Sequence, residues 1–162
     1  MSAPEIRPAV ESDVPLIASL IRELAEYERL LDEVRLTEPG LRDALFGERR
    51  YAEVVIAEVE PREPAGFALY FHNFSTFLGR PGIYLEDLFV RPEHRGSGIG
   101  TALLRHLARL AEERGCGRLE WAVLDWNAAA IAFYLGLGAR PAAGWSVYRL
   151  EGEALGRLAA ST

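Results

Sequence analysis

The stretch YLEDLFVRPEHRGSGIGTALL, from Tyr84 to Leu104, decides the fold. Its apolar first half predicts a strand over Gly82–Arg91, which Pro92 stops because proline cannot donate to a sheet ladder. A glycine-rich turn follows, and apolar residues then recur at helical spacing over Gly98–Gly115. A strand that leads through a turn into a helix indicates an α/β protein with its binding crevice near the carboxyl end of that strand.

The rest of the chain supplies the other elements of one domain, residues 1–162. Two β-rich runs flank the breaker-rich turn Glu60–Gly66 and predict a hairpin. The hairpins imply antiparallel pairing, and the strand–helix–strand unit between residues 83 and 124 implies one parallel crossover. The other predicted strands are Glu5–Val10, Tyr51–Glu60, Gly66–Asn73, Arg118–Leu124 and Ser146–Leu150. The other predicted helices run from an N-cap at Ser12 to near Asp32, from Thr37 to Gly47, over Asn127–Leu137 and over Glu153–Ala160.

Composition excludes several classes of protein. The 162 residues are 49% hydrophobic, which allows a real core and excludes global disorder. The net charge of -6 argues against a nucleic-acid partner that is bound through many phosphates. The single cysteine, Cys116, excludes an internal disulfide, and three scattered histidines show no metal-ligand spacing, so we expect no metal. Without a membrane-length apolar run or an apolar signal core, we expect a soluble cytoplasmic protein without a membrane partner.

The glycine-rich turn is the strongest binding motif. Gly96, Gly98 and Gly100 leave backbone N–H groups uncovered at a helix N-terminus, where an anion is favoured. Together with Arg95, this pattern indicates a cradle for a diphosphate. Thr101 stands where the dinucleotide fingerprint needs its last glycine, and no Lys-Ser or Lys-Thr follows as in a nucleotide P-loop. The alternative is an ordinary glycine-rich turn between a strand and a helix.

Arg-x-x-Gly-x-Gly between a strand and an amphipathic helix resembles the acetyl-CoA signature of the GNAT N-acetyltransferases. IRELAEYE, YLEDLFV and AVLDWN are similar to the diamine acetyltransferase subfamily, which includes the spermidine/spermine and thialysine N-epsilon-acetyltransferases, and AVLDWN favours the thialysine side. The resemblance covers nearly the whole chain. It implies an α/β fold, GNAT-like, with a mixed, mainly antiparallel central sheet flanked by helices on both faces. It also implies acetyl-CoA as co-substrate and a homodimer.

The resemblance also implies the cofactor residues. They are the backbone of Leu88, Phe89 and Val90 for the pantetheine arm, the turn Arg95, Gly96, Ser97, Gly98, Ile99, Gly100 and Thr101 for the pyrophosphate, and Asn127. Tyr134 matches the general acid that protonates the departing CoA thiolate. Seven residues are about two helical turns, so Asn127 and Tyr134 share one helix face. The alternative for Tyr134 is a core aromatic residue.

Glu86 and Asp87 are adjacent acids inside an apolar strand. Side chains alternate along a strand, so we expect the two to point to opposite faces. A carboxylate there must be paired, hydrogen-bonded or in a cleft. An amine with a pKa near 10.4 arrives protonated and must lose a proton before it attacks a thioester. By resemblance Glu86 binds the substrate and is the base, with Asp87 as helper; the alternative is an ion pair with an arginine.

Tyr27 and Glu28 match substrate contacts of the family at the end of the first helix. The alternatives are a core aromatic residue and a solvated helical charge. Polyamine acetyltransferases carry an acid just before the late Gly-Trp, whereas Ala143 occupies that place here. A dication such as spermidine would lose a charge partner, so we expect a smaller amine.

The leading hypothesis is therefore an acetyl-CoA-dependent N-acetyltransferase that acts by direct transfer on a small primary amine, either a thialysine-like or lysine-like amine or a diamine. One alternative is a non-catalytic acyl-CoA-binding module that keeps the glycine-rich turn but needs neither Tyr134 nor Glu86. Another is an acetyltransferase for polyamines or protein amino groups. A third is a nucleotide-binding domain.

Overall fold

A computed structural model describes residues 3–60 and 62–162. The chain contacts divide it into two compact units, Met1–Leu124 and Asp125–Thr162. The expectation of one domain over residues 1–162 stays a prediction. The first unit contains five strands in the order β1-β2-β3-β4-β5, with β1 to β4 antiparallel and β5 parallel to β4. This confirms the predicted mixed sheet. The strands are β1 Glu5–Pro8, β2 Glu53–Glu60, β3 Glu63–Ser75, β4 Arg80–Val90 and β5 Leu119–Trp121.

Helices cover both faces of this sheet, as predicted. The first two helices share one buried cluster with β2, β3 and β4 that includes Leu20, Leu45, Ile56 and Phe67. The third helix contacts β3 and β4, but none of its buried residues belongs to that cluster, so it packs on the opposite face of the sheet. The helices of the first unit are α1 Val14–Tyr27, α2 Glu38–Phe46 and α3 Ile99–Glu113, and the second unit contains α4 Ala128–Gly136 and α5 Gly152–Ala160.

The first helix differs from its prediction at both ends. Its N-cap is Asp13, and the predicted cap Ser12 lies in a preceding 3-10 turn. It ends at Tyr27 instead of near Asp32, because Arg29 takes a left-handed φ of 63° and the Leu30 N–H turns back to the Ala25 carbonyl at 2.8 Å. The apolar spacing misled the prediction. The second helix begins as predicted, since the Thr37 side chain accepts from the Gly40 N–H at 3.2 Å.

Part of the predicted turn Glu60–Gly66 is instead strand. Pro64 is tolerated in β3 because it lies opposite Glu58, where the register shifts. Gly66 is also in β3, and a Cβ there would be 2.4 Å from the Phe89 carbonyl oxygen, so glycine permits the close approach of β3 and β4.

The predicted strand Ser146–Leu150 is wrong, because no strand in the described residues pairs with it. Trp145, Val147 and Tyr148 expose 82%, 93% and 95% of their surface. An alternating apolar pattern favours a strand, but a strand also needs a hydrogen-bonded neighbour. The predicted strand Arg118–Leu124 is real but shorter, since β5 ends at Trp121.

Candidate active site

A bulge in β4 determines where its acidic residues lie. Leu69 pairs with Asp87, but the next residue of β3 pairs with Leu85, so Glu86 is an extra residue in the ladder. The regular alternation predicted for Glu86 and Asp87 therefore does not hold here. Because the β3 partners of Tyr84 and Asp87 are two residues apart, Tyr84 and Asp87 share one face of the sheet.

Three carboxylates come together at this point. Burial raises the pKa of Asp87 to about 7, and the charges of Glu86 and Glu28 raise it further in the same direction. Burial also raises the pKa of Glu28, which follows the last residue of α1. Among the described residues, no arginine or lysine forms an ion pair with any of the three. The ion-pair alternative for Glu86 and Asp87 thus has no partner here, and the group favours a cationic ligand.

Tyr27 and Arg95 connect this acidic group with the glycine-rich turn. The Arg95 guanidinium lies 4.5 Å from the Tyr27 ring centre and 5.5 Å from that of Phe89. Its Nε donates to the Val90 carbonyl at 2.9 Å. Tyr27 is 39% exposed, so it is not the core residue of the alternative interpretation. The Arg95 side chain therefore reaches from the glycine-rich turn to Tyr27, at the edge of the acidic group.

The turn has the conformation that an anion cradle needs. Gly96 and Gly98 have φ values of 79° and 85°, which favour glycine, and a Cβ at either would meet nothing within 4 Å. Gly98 is the N-cap of α3, whose first N–H groups have no acceptor within the helix. The Ser97 hydroxyl donates to the His94 carbonyl and so ties the turn to itself. Uncovered amides at a helix N-terminus fit a pyrophosphate.

The second half of β4 has an open edge. The β5 strand pairs with β4 only at Ile83, Tyr84 and Leu85, and it ends at Trp121. From Glu86 onward, β4 has no partner on this side among the described residues. Those backbone groups of Leu88–Val90 that face this side are therefore available to an extended ligand that carries amides, as the pantetheine arm does, apart from the Val90 carbonyl, which accepts from Arg95 Nε.

The remaining predicted residues lie in the second unit. Asn127 is the N-cap of α4, where its Oδ1 accepts from the Ala130 N–H at 3.2 Å. Tyr134 lies within α4, with its ring centre 5.5 Å from that of Phe133. The predicted helix is confirmed, and the roles of the two residues stay predictions.

The structure adds four residues that the sequence interpretation did not single out. Glu120 of β5 lies opposite Tyr84, and its Oε1 accepts from Asn73 Nδ2 at 3.2 Å and pairs with Arg118 Nε at 2.9 Å. Burial raises the pKa of Tyr84, and the charges of Glu86 and Glu120 raise it further. An acid in the short apolar strand was the only signal in the sequence, and it did not show which strand is the neighbour.

Other candidate chemistries receive no support. The Nε2 atom of His72 lies 3.3 Å from Arg114 Nη1, so this histidine is engaged on the α3 side of the sheet. Within residues 3–60 and 62–162, no three His, Cys, Asp or Glu side chains are grouped to hold a metal ion. None of the helices described here is long and apolar enough to span a bilayer.

An open strand edge that leads into an anion cradle, beside unneutralised carboxylates, is the arrangement that an acyltransferase with a CoA thioester and an amine substrate requires. Residues 17–139 match the family described as Acetyltransferase (GNAT) family. The chain belongs to this family and is an acetyltransferase whose family co-substrate is acetyl-CoA.

Its relatives include thialysine N-epsilon-acetyltransferase of Bos taurus, which is 46% identical over 95% of this chain and 96% of the relative. L-ornithine N5-acetyltransferase of Arabidopsis thaliana is 34% identical over 93% of this chain and 85% of the relative. An integron cassette protein from the mobile metagenome of V. cholerae has a similar solved structure, with a TM-score of 0.81 and 32% identity over 99% of this chain and 100% of the other. These matches confirm the predicted resemblance.

Proposed function

We propose that the protein transfers the acetyl group of acetyl-CoA directly to a small primary amine, either a thialysine-like or lysine-like amine or a diamine. The observation that carries this proposal is the group of Glu28, Glu86 and Asp87, which no cation neutralises in the described residues, beside the open edge of β4. The relatives that act on thialysine and ornithine support the same substrate class.

The residues around the turn would hold the co-substrate, which supplies the acetyl group as a thioester. Amides of the turn Gly96–Thr101 and the start of α3 bind the pyrophosphate, with Arg95 beside them. Backbone groups of Leu88, Phe89 and Val90 pair with the pantetheine amides. Asn127 completes this set by resemblance to the family. The uncovered glycines support the assignment of the turn, and the open edge supports that of Leu88–Val90.

The carboxylates would prepare the amine. They attract the ammonium ion, with Tyr27 forming the apolar wall, and one of them accepts its proton directly or through water. The amine nitrogen then forms the new C–N bond to the acetyl carbonyl carbon while the C–S bond breaks, and Tyr134 donates a proton to the departing thiolate. The nitrogen loses its second proton as the amide forms, and this proton replaces the one that Tyr134 gave. Glu86 is the base by family resemblance. Asp87 is the other candidate acceptor, because a pKa of about 7 suits a base that works at neutral pH.

Purified protein incubated with acetyl-CoA tests the proposal. Free thiol should appear only when an amine such as thialysine, L-lysine, L-ornithine or a diamine is added. Tyr134→Phe should slow turnover by 10²–10⁴-fold with nearly unchanged affinity for CoA, whereas Tyr51→Phe, a matched change at an exposed position, should keep the rate. Tight CoA binding without thiol release from any amine would support the acyl-CoA-binding module instead.

Spermidine and a lysine-containing peptide belong in the same experiment. Because Ala143 replaces the acid that polyamine acetyltransferases carry before Gly-Trp, we expect spermidine to be a poorer substrate than thialysine. A higher kcat/KM for spermidine or for the peptide would identify a polyamine or protein acetyltransferase.

The homodimer and the cytoplasmic location are part of the same proposal. The exposed apolar side chains of Trp145, Val147 and Tyr148 support an interface in this segment. Light scattering after size exclusion should give about twice the chain mass of 18.0 kDa. A mass of one chain at micromolar concentration would contradict the dimer.

A further inference from the structure

The polar group Asn73, Arg118 and Glu120 lies on the same sheet face as the acidic group but has a different composition. Asn73, Phe71 and Leu69 alternate along β3 on the face that carries Asp87, and Tyr84 connects the two groups, with its ring centre 5.2 Å from that of Phe71. Unlike the acidic group, this group contains a cation. The side chains of Arg118 and Glu120 are 49% and 36% exposed, so solvent reaches both.

The contacts in this group leave a specific set of atoms uncommitted. Asn73 Nδ2 and Arg118 Nε both contact the same oxygen, Oε1 of Glu120. Among the described residues, neither Oε2 of Glu120 nor the two Nη groups of Arg118 make a hydrogen bond of their own. Oε1 of Glu120 and Nε of Arg118 therefore orient the pair, and Oε2 of Glu120 and the Nη groups of Arg118 remain for a ligand.

Those atoms match an α-amino acid head group. A guanidinium offers two parallel N–H donors to a carboxylate, and a carboxylate oxygen accepts from an ammonium. A zwitterion carries a carboxylate and an ammonium on one carbon, so adjacent opposite charges in the protein bind both. A simple diamine has no group for Arg118, and it would place a second cation beside that arginine.

The distance between the two groups along the sheet also fits a lysine-like substrate. Glu120 is opposite Tyr84 on the neighbouring strand, about 4.8 Å away. Because of the bulge, Asp87 is two ladder positions beyond Tyr84, or roughly 7 Å. The two acids are thus separated by roughly 8 Å across the sheet. An extended lysine-like side chain covers roughly 6 Å between its terminal nitrogen and its α-carbon, and the side chains of the protein close the remainder.

We propose that Arg118 and Glu120, oriented by Asn73, bind the α-carboxylate and α-ammonium of an amino acid substrate whose terminal amine reaches the acidic group at Asp87. This inference rests on the proposed function. It makes Arg118 a specificity-determining residue that selects amino acids over diamines.

Matched amines test the inference in the thiol-release assay. Thialysine, L-lysine and L-ornithine are each compared with the corresponding carboxamide, which keeps size and both amines but removes the carboxylate charge. The wild-type protein should show at least about tenfold higher kcat/KM for the acids, as expected when a paired charge loses its partner. Arg118→Gln should raise KM for the acids by about tenfold and leave the carboxamides nearly unchanged, which also shows that the variant is folded.

Two further variants sharpen the assignment. Glu120→Gln should raise KM for acids and carboxamides alike, because both carry the α-ammonium, with little change in kcat. Arg109→Gln, an exposed arginine on α3, is the control and should change neither. Titration calorimetry of the same amines into the protein–CoA complex should give the same order of affinities.

The outcomes separate the inference from the proposed function. Equal kcat/KM for acids and carboxamides in the wild type, or an equal loss for both in Arg118→Gln, overturns the inference while acetyl transfer to amines stands. If no amine releases thiol and none binds the protein–CoA complex, the proposed function itself fails.

Discussion

Two partly buried carboxylates lie on opposite faces of the same sheet, and their surroundings affect them in opposite ways. Glu53 and Asp87 face consecutive residues of β3, Tyr70 and Leu69, and so point to opposite sides. Glu53 accepts two hydrogen bonds from the Arg114 guanidinium, at 2.7 and 2.9 Å, and these hold its pKa below the ordinary value. Asp87 has no such partner, and burial followed by two like charges raises its pKa to about 7.

Under the proposed function, this difference distinguishes an acid that supports the structure from one that binds the substrate amine. A protein normally neutralises a carboxylate that it removes from water, as it does at Glu53. At Asp87 the fold instead places Glu28 and Glu86 nearby and so increases the cost of the charged form. The missing positive charge is what an ammonium substrate brings. Exchanging each acid for its amide therefore tests the two faces separately.

The largest expected effect is on catalysis. Asp87→Asn should lower kcat/KM for the best amine by 10²–10⁴-fold, because the amide neither attracts the ammonium nor accepts its proton. Glu53→Gln is the matched control and should stay within a few-fold of the wild type. Steady-state thiol release with both variants measures this. If Asp87→Asn keeps the full rate, the contrast between the two faces has no catalytic meaning.

The pH profile is the next largest effect and decides between the two candidate bases. A base works deprotonated, so kcat/KM should rise with pH and level off above about 7, with up to a tenfold loss per unit below. Asp87→Asn should abolish this dependence of kcat/KM on pH. Glu86→Gln should lower kcat/KM but leave its pH dependence in place. The opposite pattern assigns the proton to Glu86, as the family resemblance predicts.

Much of the fold was predictable from local signals. The turn-forming glycines, the Thr37 cap and the spacing in α3 each specify structure within a few residues, and all three elements are observed. The errors have two different causes: a strand needs a distant partner, and a helix can end through the backbone conformation of a single residue. Ser146–Leu150 has the pattern of a strand but no neighbouring strand in the described residues, and Arg29 ends α1 within an apolar run through its own backbone conformation.

The site was predictable in its residue types but not in its geometry. YLED showed that two acids lie in an apolar strand, yet the bulge at Glu86 comes from the pairing of β4 with β3 and has no signature of its own. The same pairing brings Tyr84 to the face of Asp87. Glu120 joins them through β5, which is more than 30 residues away in the chain, and no local pattern specifies that register.

Stability should change in the opposite direction to activity at Asp87. Its folded pKa, about 7, lies above the ordinary 3.8, so the folded protein holds the proton more tightly and loses stability as pH rises between these values. Asp87→Asn removes this loss. The variant should be more stable than the wild type at pH 8, by up to about 4 kcal/mol at roughly 1.4 kcal/mol per pKa unit.

Urea unfolding at pH 8 and at pH 5 measures the difference. The advantage of Asp87→Asn should shrink as pH is lowered towards 4, since the wild-type carboxyl is then increasingly protonated in the unfolded state as well as in the folded state. A variant that is less stable than the wild type at pH 8 would show that Asp87 has a stabilising partner, and the functional interpretation of this acid would fail.

The smallest expected effect is at Glu53, and its sign is opposite. Its folded pKa is lowered, so its pair with Arg114 stabilises the protein above about pH 4.5 and loses that contribution as pH falls further. Because both side chains are partly exposed, Glu53→Gln should cost only about 1 kcal/mol or less at pH 7. Urea unfolding of Glu53→Gln and of the double variant with Arg114→Gln measures the coupling, which should be positive at pH 7 and should decrease as the pH falls below about 4.5. If Glu53→Gln is instead more stable than the wild type at pH 7, the pair with Arg114 does not stabilise the protein. The carboxylates on the two faces of the sheet would then not differ in how their charges are neutralised.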